Sequence, residues 1–143
     1  MSVTFGVLAE DNDKRVALVP KNVEKLVGMG AIVLVEQSAG HNAGFADELY
    51  QQAGATCVAQ GEVIAKADIL LSIYPPARER LAKFPAGKIL VSQFRPYFDE
   101  EVVSYLQEHQ LQAFSLDMIP RSTLAQRMDV LSSMASISGY QAV

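Results

Sequence analysis

The chain has 143 residues, half of them hydrophobic and a fifth charged, with a formal charge of −4 from 16 acidic and 12 basic residues. That size and balance suit one soluble domain and exclude whole-chain disorder, and the acidic charge disfavours a nucleic-acid surface. No Lys/Arg block works against this, and no stretch approaches the ~20 apolar residues of a membrane span.

The first residues, MSVTFGVLAEDNDKR, hold a short apolar run followed by charges, without the basic start and long apolar centre of a signal peptide. VTFGVLA (residues 3–9) is the first strand, and the polar loop EDNDKR follows. PKNVEKLVGMG predicts a helix: Pro20 suits its first turn, Val23, Leu26 and Val27 share a face, and Gly28 and Gly30 stop it. AIVLVE (residues 31–36) is a β-branched strand. The glycine-rich loop QSAGHNAGF leads into a short helix in ADELYQQAGA that ends at Gly54. Cys57, the one cysteine, cannot form an internal disulfide and has no His or second Cys near it in sequence, so a buried structural thiol is expected.

The same alternation continues. ADILLSI (residues 67–73) is a buried-type strand halted by Pro75 and Pro76, and KILVSQF (residues 88–94) is another, stopped by Pro96. A helix is expected over residues 99–110, then the strand LQAFSLD (residues 111–117). A last helix is expected in IPRSTLAQRMDVLSSMASISGYQAV, with Leu124, Met128, Leu131 and Ala135 as one apolar stripe. Continuous apolar strands separated by helices imply a parallel sheet covered on both faces. The fold expected is a doubly wound α/β domain, its sheet mainly parallel with about five strands, of flavodoxin-like or Rossmann-like type.

Motifs exclude more than they assign. A dinucleotide fingerprint needs G-x-G-x-x-G opening a helix after a strand. GMGAIV has Gly28 and Gly30 but Val33 in the third place, and it runs from helix to strand, so helix termination explains it. There is no P-loop, HExxH or CxxC, and His41 and His109 are isolated, so a metal site has no support. SAGHNAGF follows a strand and can cradle a ligand, but turns use the same composition. Arg15 is a fixed cation at the C-terminal edge of the first strand, where doubly wound folds bind ligands, and so a substrate-pocket candidate; a surface salt bridge is the alternative. Along the last helix, Gln126, Asp129, Ser133 and Ser136, with Ser132 beside them, replace the long charged side chains of an ordinary solvated face. Such groups suit a ligand or protein boundary, and also a Ser-rich surface.

That closing segment resembles the signature of the N-terminal domain shared by the proton-translocating NAD(P) transhydrogenase alpha subunit and alanine dehydrogenase, and it is more similar to the transhydrogenase branch. KRVALVPKNVEKLVGMGAIVLVEQSAGHNAGFADELYQQAGA and ADILLSIYPP extend the resemblance over the whole chain. The resemblance implies that residues 1–143 form the first of two lobes, with the glycine-rich NAD-binding lobe outside this chain and NAD(H) in the cleft between them. It implies that Arg121, Gln126, Asp129 and Ser132 line the nicotinamide end of that site, with no catalytic acid or base. Further implications are NADP(H) on another subunit or domain, membrane subunits for proton translocation, the homodimer usual in the family, and a cytoplasmic place beside the inner membrane.

Several positions depart from the family pattern. The alanine dehydrogenase branch has a Lys and a His where this chain has Ser72 and Arg95, which argues against keto-acid reduction by the same route. Ser72 also departs from the transhydrogenase branch. Leu124 stands where the family's RAQ has Arg, and Ala9-Glu10 replaces a basic-Glu pair. These departures leave open a freestanding lobe that binds a ligand or partner, or a lobe of another amino-acid dehydrogenase of the superfamily.

Overall fold

A computed structural model describes residues 1–97 and 99–142. The expected alternation is present: β1 (Thr4–Val7), α1 (Pro20–Gly28), β2 (Ile32–Glu36), α2 (Asp47–Gln52), β3 (Thr56–Val58), α3 (Gln60–Lys66), β4 (Ile69–Leu71), α4 (Arg78–Leu81), β5 (Ile89–Ser92), α5 (Glu100–Glu108), β6 (Gln112–Ser115) and α6 (Val130–Gln141). Short 3₁₀ turns lie at His41–Ala43, Leu116–Met118 and Ala125–Met128.

Among the described residues, six strands stand where about five were expected. The addition is β3, three residues at the sheet edge paired with β2 from Leu34↔Thr56 to Glu36↔Val58. A strand this short and half-exposed shows no alternation to detect. The helices α3 and α4, seven and four residues long, also have no counterpart among the elements expected. Cys57 lies on this edge strand and is only half-buried, a correction to the fully buried thiol expected; burial is the main cause raising its pKa.

Strand order is β3-β2-β1-β4-β5-β6, and every described pairing is parallel. The chain moves outward twice from β1, crosses back over the sheet, and moves outward twice the other way. Right-handed crossovers therefore put α1 and α2 on one face and α3, α4 and α5 on the other. The first face packs Val7, Val33 and Val35 against Val23 of α1 and Tyr50 of α2. The second packs Leu8, Leu34, Leu70 and Leu90 against Val63 and Ile64 of α3, Leu81 of α4 and Leu106 of α5.

Local signals explain most boundaries. Pro20 occupies the first turn of α1, and Gly30, at φ +89°, turns the chain into β2. Asp99 caps α5 by accepting the Val102 N–H. Among the described residues no helix is long and apolar enough to cross a membrane.

The last helix is shorter than the sequence suggested. The backbone leaves helical geometry at Asp129 (φ −76°, ψ 97°), whose side chain accepts from the N–H groups of Leu131 and Ser132. That N-cap starts α6 at Val130 and separates it from the turn Ala125–Met128. The stripe Leu124–Met128–Leu131–Ala135 is therefore not one continuous face, because an aspartate at a cap competes with helix propagation.

Candidate functional site: the cleft at the strand ends

Leaving in opposite directions, β1 and β4 open a crevice at their carboxyl ends, the position where open α/β sheets bind ligands. A cleft of about 460 Å³ occupies it. The loop after β1 contributes Arg15, Val16 and Val19, and the strand ends contribute Ser72, Ile73, Gln93 and Leu116. The first turns of α6 roof it with Val130, Ser133 and Met134. The walls are mainly apolar with a few converging polar groups, the usual make-up of a small-molecule pocket.

Arg15 enters this cleft. Asp13 engages it through Nε (2.9 Å to Oδ1) and Nη2 (2.6 Å to Oδ2), while Nη1 lies 3.4 Å from Met134 Sδ. The ion pair holds the Asp13 carboxyl below the usual aspartate range and raises Arg15, chiefly through the same hydrogen bonds. The guanidinium sits 5.9 Å from the centre of the Tyr74 ring. Arg95 approaches the same ring at 5.3 Å, its backbone in the left-handed region (φ +48°) with its N–H donating to Asp117 Oδ2. Ser72 is buried in the cleft wall, and among the described residues its hydroxyl makes no protein hydrogen bond.

A second layer of charge fixes the floor. Glu10 accepts the Ile73 N–H (2.6 Å) and the Tyr74 N–H (3.2 Å), tying the β1 loop to the end of β4. Burial pushes its carboxyl above the ordinary glutamate value against those two hydrogen bonds. Arg80 is largely buried and donates to the Ala9 carbonyl (2.8 Å), Asp11 (2.6 Å) and Glu36 (2.8 Å). Glu36 also accepts from the Ala9 N–H and from Gln60 Nε2. For Asp11, burial alone would raise the carboxyl, but the Ala77 N–H and Arg80 outweigh it and the net shift is downward.

The other sequence-selected residues form a separate group beside the cleft. Asp129 Oδ1 accepts the N–H groups of Leu131 (3.0 Å) and Ser132 (3.2 Å), and Oδ2 accepts the Ser132 hydroxyl (2.7 Å). Those contacts, the Ser132 hydroxyl first, hold the carboxyl down, and the charge of Arg121 adds to the effect. Gln126 is exposed in the preceding turn, its N–H bonded to the Ser122 carbonyl. Arg121, Gln126, Asp129 and Ser132 do not line the cleft that holds Arg15. At ~100° per residue, Ser132 lies about 150° around the helix from the centre of the Val130/Ser133/Met134 face.

Sequence reasoning did not select Tyr74, Gln93, Arg80 or Met134, because each depends on which strands end side by side. The one usable signal was position: Tyr74, Gln93 and Arg95 each follow closely on a strand, as Arg15 does.

These features define a class: a Rossmann-like parallel α/β lobe with a cleft at its topological switch point. The family model for the alanine dehydrogenase/PNT N-terminal domain matches residues 6–138, and the chain belongs to that family. It is 37% identical over 133 residues, 93% of its length, to the NAD(P) transhydrogenase subunit alpha of Haemophilus influenzae. It is 35% identical over 134 residues, again 93% of its length, to the NAD(P) transhydrogenase subunit alpha of Cereibacter sphaeroides. Among solved structures, transhydrogenase from Sinorhizobium meliloti superposes over 97% of this chain with a TM-score of 0.92 at 33% identity. The chain spans 26% of each of those two subunits and 42% of the solved chain.

Proposed function

We propose that this lobe is the N-terminal part of the NAD(H)-binding component of an NAD(P) transhydrogenase. Its segment of residues 121–132 is the wall that faces the nicotinamide. The observation that carries this reading is a polar group, Arg121, Gln126, Asp129 and Ser132, turned away from the lobe's own cleft and toward solvent. Similarity to transhydrogenase alpha subunits over nearly the whole chain supports it. A second, glycine-rich lobe outside this chain completes the site. NADP(H) binds elsewhere in the assembly, and membrane subunits couple the reaction to proton movement. The lobe works as a homodimer at the cytoplasmic side of the inner membrane.

The residues fit the group. A carboxamide needs a donor and an acceptor, and the Gln126 side chain, which makes no hydrogen bond among the described residues, offers both. Asp129 can only accept, and its cap contacts hold its orientation. Ser132 is oriented by Asp129, and Arg121 supplies a positive edge. The nicotinamide supplies the hydride chemistry; the protein groups position the ring. An isolated lobe offers half a site, so binding is weak and there is no turnover.

The test is a titration of NADH into the protein, followed by backbone amide shifts and by calorimetry. Shifts clustered on residues 121–132 with millimolar-range affinity are expected. Shifts confined to the Arg15 cleft, or micromolar affinity for this chain alone, overturn the reading. The Arg15 cleft favours a second reading, a lobe that holds a small anionic ligand at Arg15 without redox chemistry. Ser72 and Arg95, in place of the family's Lys and His, set it apart from an alanine dehydrogenase site.

A further inference from the structure

Two hollows lie side by side along the carboxyl edge of the sheet. The first is the cleft that holds Arg15, and the second, of about 440 Å³, holds Arg95 and Asp117. Gln93 stands in the wall of both, and α6 passes both, with Met134 at the first and Leu131 at the second. The Tyr74 ring joins them as well. Arg15 stands 5.9 Å and Arg95 5.3 Å from its centre, so the two guanidinium groups are no farther apart than those distances together. One small molecule can reach both.

Polar groups in the two hollows keep unused bonding capacity. Asp13 takes the Nε and Nη2 edge of Arg15, which leaves Nη1 facing Met134 Sδ at 3.4 Å, a much weaker acceptor than a carboxylate oxygen. Ser72 is only 6% exposed and lines the cleft, and its hydroxyl has no protein partner among the described residues. Gln93 donates its backbone N–H to the Ile73 carbonyl, while its side-chain amide makes no hydrogen bond among the described residues. Arg95 forms no ion pair among them either. Its left-handed backbone (φ +48°) is held in place from β6: Asp117 Oδ2 accepts the Arg95 N–H (3.1 Å), Oδ1 accepts the Ser115 hydroxyl, and Ser115 Oγ accepts the Phe94 N–H (3.1 Å). Backbone strain over-determined in this way is a device for aiming one side chain.

We propose that the two hollows form one site for a short linear dicarboxylate, one carboxylate held by Arg15 Nη1 and the Ser72 hydroxyl, the other by Arg95. The planar guanidinium fork matches a carboxylate at each end. Between the ends, Ile73, Leu116 and Val130 give the apolar wall that a methylene chain needs. The walls of the Arg15 hollow come from this chain's own strand ends, β1 loop and α6, so it is a concave pocket of small-molecule size. Asp13 and Asp117 limit the net attraction for an anion, so affinity depends on meeting both arginines at once. The inference rests on the second reading above, an anion at Arg15, and adds to it a second anchor and a ligand class.

The test is calorimetric titration of the protein with glutarate, butyrate and sulfate, with backbone amide shifts to locate the binding. Glutarate is expected to bind about 5-fold tighter than butyrate, a modest margin because Arg95 is exposed. Its shifts are expected at residues 72–74 and at 93–95 together. Sulfate, a compact dianion that offers charge without length, is expected to bind no tighter than butyrate. Arg95→Gln, checked for folding by circular dichroism, is expected to erase the glutarate margin, whereas Arg15→Gln weakens both acids. Glutarate no tighter than butyrate, sulfate equal to glutarate, or a margin that survives Arg95→Gln overturns the second anchor and leaves the anion at Arg15 standing. Failure of both acids to bind overturns the two together. The NADH titration is read independently of all these outcomes.

Discussion

The two halves of the sheet are built from the same kind of residue but are finished differently. Around β1, β2 and β3, valines on one face meet α1 and α2, and leucines on the other meet α3. Around β4, β5 and β6, the leucine face meets α3, α4 and α5, while on the other face Leu71 borders the α1/α2 core and Ile69, Ile89 and Val91 belong to neither buried cluster among the described residues. Equal hydrophobicity in sequence thus produces unequal burial. Outward crossovers from β1 toward β3 supply helices to one face only, and those toward β6 supply the other. The half around β1, β2 and β3, buried on both faces, carries much of the stability of the lobe.

The contrast breaks most sharply at Gly6 on β1. A Cβ there would sit 2.7 Å from Ala67 Cβ and 2.7 Å from Val63 Cγ1, because α3 packs directly on the strand. Gly6→Val is expected to destabilise by about 3 kcal/mol or more, beyond ordinary overpacking, and to show as loss of the folded circular-dichroism signal. Leu90 and Ile89 are adjacent on β5 and point to opposite faces. Leu90→Ala should cost about 2–5 kcal/mol by urea denaturation. Ile89→Ala should cost roughly 1 kcal/mol in the monomer, since half-exposed side chains lose less on truncation.

Smaller effects sharpen the comparison at α6. Asp129→Ala removes the cap, and because α6 has no buried residue, exchange protection should fall there before the sheet is affected. Ser132→Ala should raise the Asp129 titration midpoint, since the Ser132 hydroxyl is the first cause holding it down.

The smallest effects concern pH, and their signs oppose. Asp11 and Asp13 are depressed in the fold, so their stabilisation is present above the ordinary aspartate value of ~3.9 and is lost as pH falls through their folded values. Glu10 is raised, so its contribution is present below ~4.3 and is lost as pH rises through its folded value. Asp13→Asn should flatten the acid limb of a stability-versus-pH curve, by under ~1 kcal/mol because Arg15 is more than a third exposed. Glu10→Gln should remove the opposing slope just above pH ~4.3.

Much of this was legible in order of residues alone. Five strands, the helices α1, α2 and α5, the Pro20 and Gly30 boundaries and the parallel α/β class followed from apolar runs and turn residues. Arg15 could be placed near a ligand edge because it follows a strand of a doubly wound fold. The strand β3 and the helices α3 and α4 were too short to show a period. The break at Asp129 was hidden because the apolar residues on either side of it happen to keep helical spacing, while the cap depends on a side chain turning back on its own backbone.

Sequence by itself determined the alternation of strands and helices and the polar spacing of Gln126, Asp129, Ser133 and Ser136, while Arg121 and Ser132 joined that group as site residues only through the family resemblance. Those are properties of neighbours along the chain, where periodicity, capping and turn chemistry act. Tertiary structure alone decided that Arg15 and Arg95 flank Tyr74, that Arg80 is locked between Asp11 and Glu36, and that Ser132 faces away from the Arg15 cleft. It also decided that, among the described residues, Ile69, Ile89 and Val91 belong to neither buried core cluster although Leu70 and Leu90 beside them do. Each of these depends on strand order, since residues far apart in sequence meet only where strands end side by side.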